Sequence, residues 1–191
     1  MTELRFIEET HEYFLGLEKL PSVTRILQDV GFVNTDFFTE EAAIRGTAVH
    51  MATQYLDEGC LDWDTVAEEY LGYVDAYRKF KRDSGFKPII SEGMDYHRTM
   101  KYAGQFDLVG ELNRRHVIID KKTGIEQYWW KYQLAGYAEF PIVKSNFPGA
   151  VRHSLSLRKD GTYRLSEPYL DPMDWGVFQA ALVVYRAKGM K

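Results

Sequence analysis

The chain has 191 residues, 45% hydrophobic and 27% charged, with a formal net charge of −4. This is the composition of a globular domain with room for a sizeable core; the mild charge neither requires nor excludes a nucleic-acid partner. A single cysteine, Cys60, rules out an intramolecular disulfide and a cysteine cage for zinc within one chain, and no stretch approaches the ~18 apolar residues of a membrane span.

Residues 4–15 (LRFIEETHEYFL) read as strand, turn and strand. Residues 21–32 (PSVTRILQDVGF) read as a short helix, capped by Ser22 and stopped at Gly31. Residues 39–59 read as a helix opened by Thr39 and its following acids and closed by Gly59. Across 62–85, Val66, Tyr70, Val74, Tyr77 and Phe80 recur at helical spacing. Three extended runs follow, at 87–97, 101–112 and 116–120, with Asn-Arg-Arg at 113–115 suited to a tight hairpin. Residues 128–140 read as a helix interrupted near Pro141. Residues 150–169 read as a hairpin turning at Lys-Asp-Gly. Residues 171–189 read as a helix with Asp171 as cap and Pro172 in its first turn. This order predicts a mixed α/β fold, a central β-sheet flanked by helices. A single domain is expected over 1–191: N-terminal strands and a helical roof (1–85), a sheet core (86–170) and a last helix (171–191).

The run HVIIDKKTG (116–124) sets an apolar strand directly against an acid and two lysines. Asp120 ends that strand, and Asp107 lies in the one before it. A hairpin sets the two strands side by side, so the carboxylates can meet near one edge. Close carboxylates repel unless protonated or bridged by a cation, and hard oxygen ligands suit Mg²⁺ or Mn²⁺. Lys122 shares a face with Asp120 in an extended segment, where an amine can offset charge developing on a phosphate. Taken alone, Asp-x-Lys is equally a salt bridge at a strand end.

The wider pattern is more specific. GQFDLVGELNRRHVIIDKKTG resembles the core motif of the PD-(D/E)xK nuclease superfamily in its RecB-type exonuclease branch. QLAGY (133–137) resembles the branch's Q-x-x-x-Y motif, and RGTAVH (45–50) its G-x-x-x-H motif. Glu92 matches an acid often found on the first core strand. LPSVTRIL (20–27) is similar to a segment of mitochondrial genome maintenance exonucleases and related phage proteins. The likeness spans roughly residues 20–165.

The resemblance implies a restriction-endonuclease-like fold with the N-terminal helical segment over the active site. It implies that Asp107, Asp120 and His50 ligate Mg²⁺ or Mn²⁺, with position 121 grouped among the metal-contacting residues. Lys122 would activate water and stabilise the phosphate. Gln133 and Tyr137 would contact substrate or support Lys122, and Glu92 would act through water or as an outer group. Arg45 would meet a DNA phosphate. Two departures stand out. Lys121 replaces the usual apolar or aromatic residue between Asp120 and Lys122; its side chain is expected to point away from the site, onto a more exposed face. The four cysteines that hold an iron–sulfur cluster in some relatives are absent, so no cluster is expected.

The implied activity is hydrolysis of phosphodiester bonds by a metal-dependent deoxyribonuclease. An exonuclease on single-stranded DNA ends is favoured, in phage-type recombination, replication or repair. A structure-specific or restriction-type endonuclease, or an inactive DNA-binding module, are the alternatives. A recombinase or single-strand-binding protein is a candidate partner, and no membrane association is expected. Met-Thr-Glu-Leu-Arg-Phe carries no signal-peptide core, so a cytoplasmic location is expected, the host's if the chain is phage-encoded. Tyr128, Trp129, Trp130, Tyr132, Phe37 and Phe38 are candidate stacking rings, and Arg78, Lys79, Lys81 and Arg82 a candidate DNA track.

Overall fold

In the computed structural model, residues 3–34 and 39–189 are described. Phe37 and Phe38 lie outside them. A small antiparallel sheet opens the chain: β1 (Leu4–Ile7), β2 (Glu12–Leu15) and β3 (Glu18–Leu20). Helix α1 (Val23–Asp29) follows, its first turn closed by Ser22 Oγ accepting from Arg25 N at 3.0 Å. Helix α2 (Glu40–Glu58) starts where Thr39 Oγ1 accepts from Ala42 N and stops at left-handed Gly59, as predicted.

The helix expected over 62–85 is two elements. Asp62 accepts from Asp64 N and turns the chain through a 3₁₀ segment, Trp63–Thr65; Val66 is extended, and α3 runs Glu68–Ser84. A local carboxylate–amide bond there overrides the apolar periodicity.

The main sheet has the order β4-β5-β6-β7-β8. It comprises β4 (Lys87–His97), β5 (Tyr102–Leu112), β6 (Arg115–Lys122), β7 (Val151–Leu157) and β8 (Tyr163–Leu165). β6 and β7 pair in parallel and the other neighbours antiparallel. Asn113 and Arg114, both with positive φ, make the two-residue hairpin turn between β5 and β6. The β6–β7 crossover carries α4 (Trp130–Ala138) and α5 (Pro141–Asn146). Pro141 begins α5 rather than merely ending α4. α6 (Met173–Ala187) closes the described chain, with Asp171 Oδ1 accepting from Met173 N at 2.8 Å.

Alternation along the strands gives two cores. Ile118 and Phe106 pack with α1, α4, α5 and α6 on one face. Val117, Ile119 and Leu108 pack with Val49 of α2 and with α3 on the other. The result is a mixed α/β fold, a five-stranded mixed sheet with helices on both faces, as the sequence predicts. The N-terminal segment contributes to both faces, α1 to one and α2 to the other. Among the described residues no helix is long and apolar enough to cross a membrane.

Candidate active site

The β5–β6 ladder ends at the pair Leu108–Ile119. Immediately beyond, Asp107 Oδ2 accepts from the backbone N–H of Lys121 at 2.5 Å. A carboxylate thus takes the amide that a partner-strand carbonyl would otherwise satisfy, and the two strands part around it. On the neighbouring β4, Glu92 adopts φ +53°, a left-handed conformation rarely taken by non-glycine residues. The irregular backbone turns the Glu92 carboxylate toward Asp107 and α2.

Three potential ligands meet there: one atom each from His50, Glu92 and Asp107 lies within 4.8 Å of the others. His50 Nδ1 is 3.2 Å from Glu92 Oε1 and 3.4 Å from Asp107 Oδ1. Gln105 Nε2 donates to Glu92 Oε2 at 2.9 Å. α2 is tied down nearby: Asp57 accepts from Tyr77 Oη at 2.7 Å, Lys81 Nζ at 2.6 Å and Ser91 Oγ at 3.1 Å, linking α2, α3 and β4.

Lys121 differs from the sequence expectation. It lies on the opposite face of β6 from Asp120 and Lys122, but that face is not exposed. α2 and α3 cover it, and the side chain is fully buried. Its ammonium reaches Glu92 Oε1 at 2.8 Å and Thr53 Oγ1 at 2.7 Å, inside the His50–Glu92–Asp107 cluster.

The other face of β6 carries Asp120 and Lys122, which form an ion pair. Lys122 Nζ also donates to Gln133 Oε1 at 2.9 Å and lies 5.5 Å from the ring centroids of Trp129 and Trp130. Gln133 Nε2 donates to Thr24 Oγ1 at 2.9 Å and Tyr137 Oη at 3.2 Å. Gln133 and Tyr137 therefore share a helix face and a hydrogen-bonded unit with Lys122. Gly104 makes room for it, since a Cβ there would sit 2.8 Å from Tyr137 Cε1. Asp120 lies outside the three-ligand set, yet close enough for its charge to act on Asp107. Its Oδ2 is buried, and the Lys122 ammonium is its partner.

The electrostatics follow from this crowding. Burial drives the Asp107 carboxyl up to about 7; Asp120 and Glu92 add to the rise, and the His50 and Lys121 charges oppose it. For His50, burial lowers the pKa, but Asp107 and Glu92 outweigh it and the net direction is up. For Glu92, burial pushes upward, but the His50 hydrogen bond and Lys121 bring it down to about 2.

Arg45 Nε donates to Thr123 Oγ1 at 3.4 Å, and its guanidinium lies 5.9 Å from the Tyr73 ring centroid. Arg45, Arg158, Lys159 and Arg164 share a cavity of about 500 Å³ with Thr123 and Gly124. A second cavity, of about 540 Å³, is lined by Ile44, Met51, Tyr55 and Leu61 and contains none of the cluster.

The remaining candidates divide. Trp129 and Trp130 are buried in the core; Tyr132 is half-buried and Tyr128 exposed. On α3, Arg78 pairs with Asp75, Lys81 with Asp57 and Arg82 with Asp83, while Lys79 is exposed. Sequence reading missed Thr24, Thr53 and Gln105. Thr53 was accessible, standing three residues after His50 on the same helix face. Thr24 and Gln105 carry no local signal.

The chain matches no protein-family model and no curated protein. Among solved structures it is similar to the crystal structure of an alkaline exonuclease from Laribacter hongkongensis. The identity is 14%, over 87% of this chain and 86% of that one, with a TM-score of 0.45. A likeness of that degree is general and assigns neither activity nor substrate.

Proposed function

We propose that the protein is a metal-dependent nuclease of the PD-(D/E)xK type that hydrolyses phosphodiester bonds in DNA, working as an exonuclease from single-stranded ends. One observation carries the reading: His50, Glu92 and Asp107 converge beneath α2, while Asp120, Lys122, Gln133 and Tyr137 form a bonded chain on the other face of β6. The donor set fits a hard divalent ion. It offers an imidazole and carboxylates within reach of one another, and burial and the neighbouring acids raise Asp107 to about 7, a crowding that a cation would relieve.

Asp107, Asp120 and His50 would hold Mg²⁺ or Mn²⁺, which supplies Lewis-acid polarisation of the phosphate and a more acidic water. Lys122 is held by Asp120 and Gln133 at the end of β6, where its ammonium would stabilise charge growing on phosphate oxygens. Gln133, fixed by Thr24 and Tyr137, would hold Lys122 in that position. Arg45 and the cationic cavity beside Thr123 supply backbone contacts for a strand leaving the site. A role in phage-type recombination, replication or repair, alongside a recombinase or single-strand-binding protein, accords with the RecB-type resemblance.

The test uses end-labelled linear and circular single strands, and blunt duplex, with Mg²⁺ or Mn²⁺ and with EDTA. Metal-dependent loss of label from linear single strands, with circles spared, is the expected result. Rapid cutting of circles would move the assignment to an endonuclease. Undiminished cutting in EDTA would remove the metal from the mechanism, and no cutting under any condition would leave a DNA-binding module.

A further inference from the structure

The residue between Asp120 and Lys122 is a lysine whose side chain is wholly buried. Its ammonium is held at 2.8 Å by Glu92 and at 2.7 Å by Thr53, 5.7 Å from the Tyr77 ring centroid. Glu92 Oε1 meets both this ammonium and His50 Nδ1, and Oε2 accepts from Gln105. Protein donors therefore already engage both oxygens of Glu92. An ion bound there would have to break those contacts and sit against a fixed positive charge. Counting formal charges, Glu92, Asp107 and Asp120 oppose Lys121 and Lys122, leaving one net negative charge. One divalent ion overshoots that by a single charge. A second would leave the buried site strongly cationic, and uncompensated buried charge is costly.

Resting on the metal-nuclease reading, we infer that Lys121 is a built-in second cation: it neutralises Glu92 and confines the site to one divalent ion. Glu92 is then a positioning residue for His50 and Lys121, not a ligand. Two-ion sites space their metals about 3.5–4 Å apart and share carboxylates between them; here the place beside Glu92 is filled by an amine that cannot dissociate.

The experiment is a Mn²⁺ titration of the full chain without DNA, by calorimetry and electron paramagnetic resonance. The wild type is expected to bind one ion per chain, with an isolated six-line spectrum at saturation. Lys121→Met is expected to bind two, with a spin-coupled spectrum, and Glu92→Gln in that background to return the count to one. Two ions on the wild type would overturn the inference and leave the nuclease reading standing; this measurement decides even if Lys121→Met fails to fold. One ion of unchanged affinity on a folded Lys121→Met would also overturn it. A wild type that binds no Mn²⁺ would overturn the metal-nuclease reading itself, and the inference with it.

Discussion

Replacing Asp107 by Asn should flatten the pH dependence of stability in the metal-free protein while abolishing its activity. Burial raises the folded-state carboxyl from 3.8 to about 7. Between those values the unfolded chain has lost the proton and the folded chain keeps it, so the folded state binds more protons. Stability therefore falls as pH rises through this window. The slope approaches ~1.4 kcal/mol per pH unit inside the window, or about 2 kcal/mol from pH 5 to pH 7. For a chain of this size that is a melting shift of ~4–8 °C. His50, also raised, acts in the same direction, its stabilisation lost as pH climbs through its folded value. His97 and His153, lowered mainly by burial, act oppositely below their ordinary 6.5. Glu92, lowered to about 2, loses its stabilisation only as pH falls below its ordinary carboxylate range. The wild-type minus Asp107→Asn difference carries the Asp107 contribution together with the part of the His50 rise that Asp107 causes, which has the same sign. The measurement is calorimetric melting in EDTA at half-unit steps from pH 5 to 8, repeated in saturating Mn²⁺, which should remove the slope by holding Asp107 ionised. A difference that is flat, or that grows in favour of the wild type with pH, would refute the account of Asp107 as a carboxylate strained by burial.

Lys122→Ala should lower turnover by ~10²-fold with little change in DNA affinity, read by single-turnover cleavage beside filter binding; near-wild-type cutting would pass its role to another group. Asp120→Asn should abolish cleavage with the fold kept, checked by circular dichroism and activity together. Tyr137→Phe should slow cleavage, and a double-mutant cycle with Gln133→Ala should be non-additive, because Gln133 bonds Tyr137 and Lys122 together; additive losses would dissolve the unit. Gly104→Ala should cost ~1–3 kcal/mol and slow cleavage through the displaced Tyr137 ring, seen as a lowered melting point and turnover at unchanged metal affinity.

What the sequence discloses here is mostly local. Ser22, Thr39 and Gly59 begin and end helices through bonds within one turn, and the chain shows them plainly. The spacing of Gln133 and Tyr137 likewise fixes a shared face without knowledge of anything distant. Lys121 was misread for the opposite reason. Alternation along β6 gave its face correctly, but whether that face meets water depends on α2 and α3, which come from 37 or more residues away. Glu92 meets His50 from a left-handed backbone that no neighbour in the chain announces. Trp129 and Trp130 look available beside the strand that carries Asp120 and Lys122, and are buried because α6 and α1 close over that side.

The distance along the chain between partners in the site sets the order in which it can be built. The β4–β5–β6 meander joins neighbours and can form early, since short loops close cheaply. Lys121 meets Thr53 across 68 residues, Arg45 meets Thr123 across 78 and Gln133 meets Thr24 across 109. Such contacts come late in a folding reaction. During synthesis α1 and α2 leave the ribosome before any strand of the main sheet. Until residue 133 has emerged, Lys122 has Asp120 as a partner but no Gln133 to hold it. The site thus completes in two stages: the cluster of His50, Glu92, Asp107 and Lys121 needs nothing later than β6, whereas the arm from Thr24 through Gln133 to Lys122 waits for α4 to dock on α1.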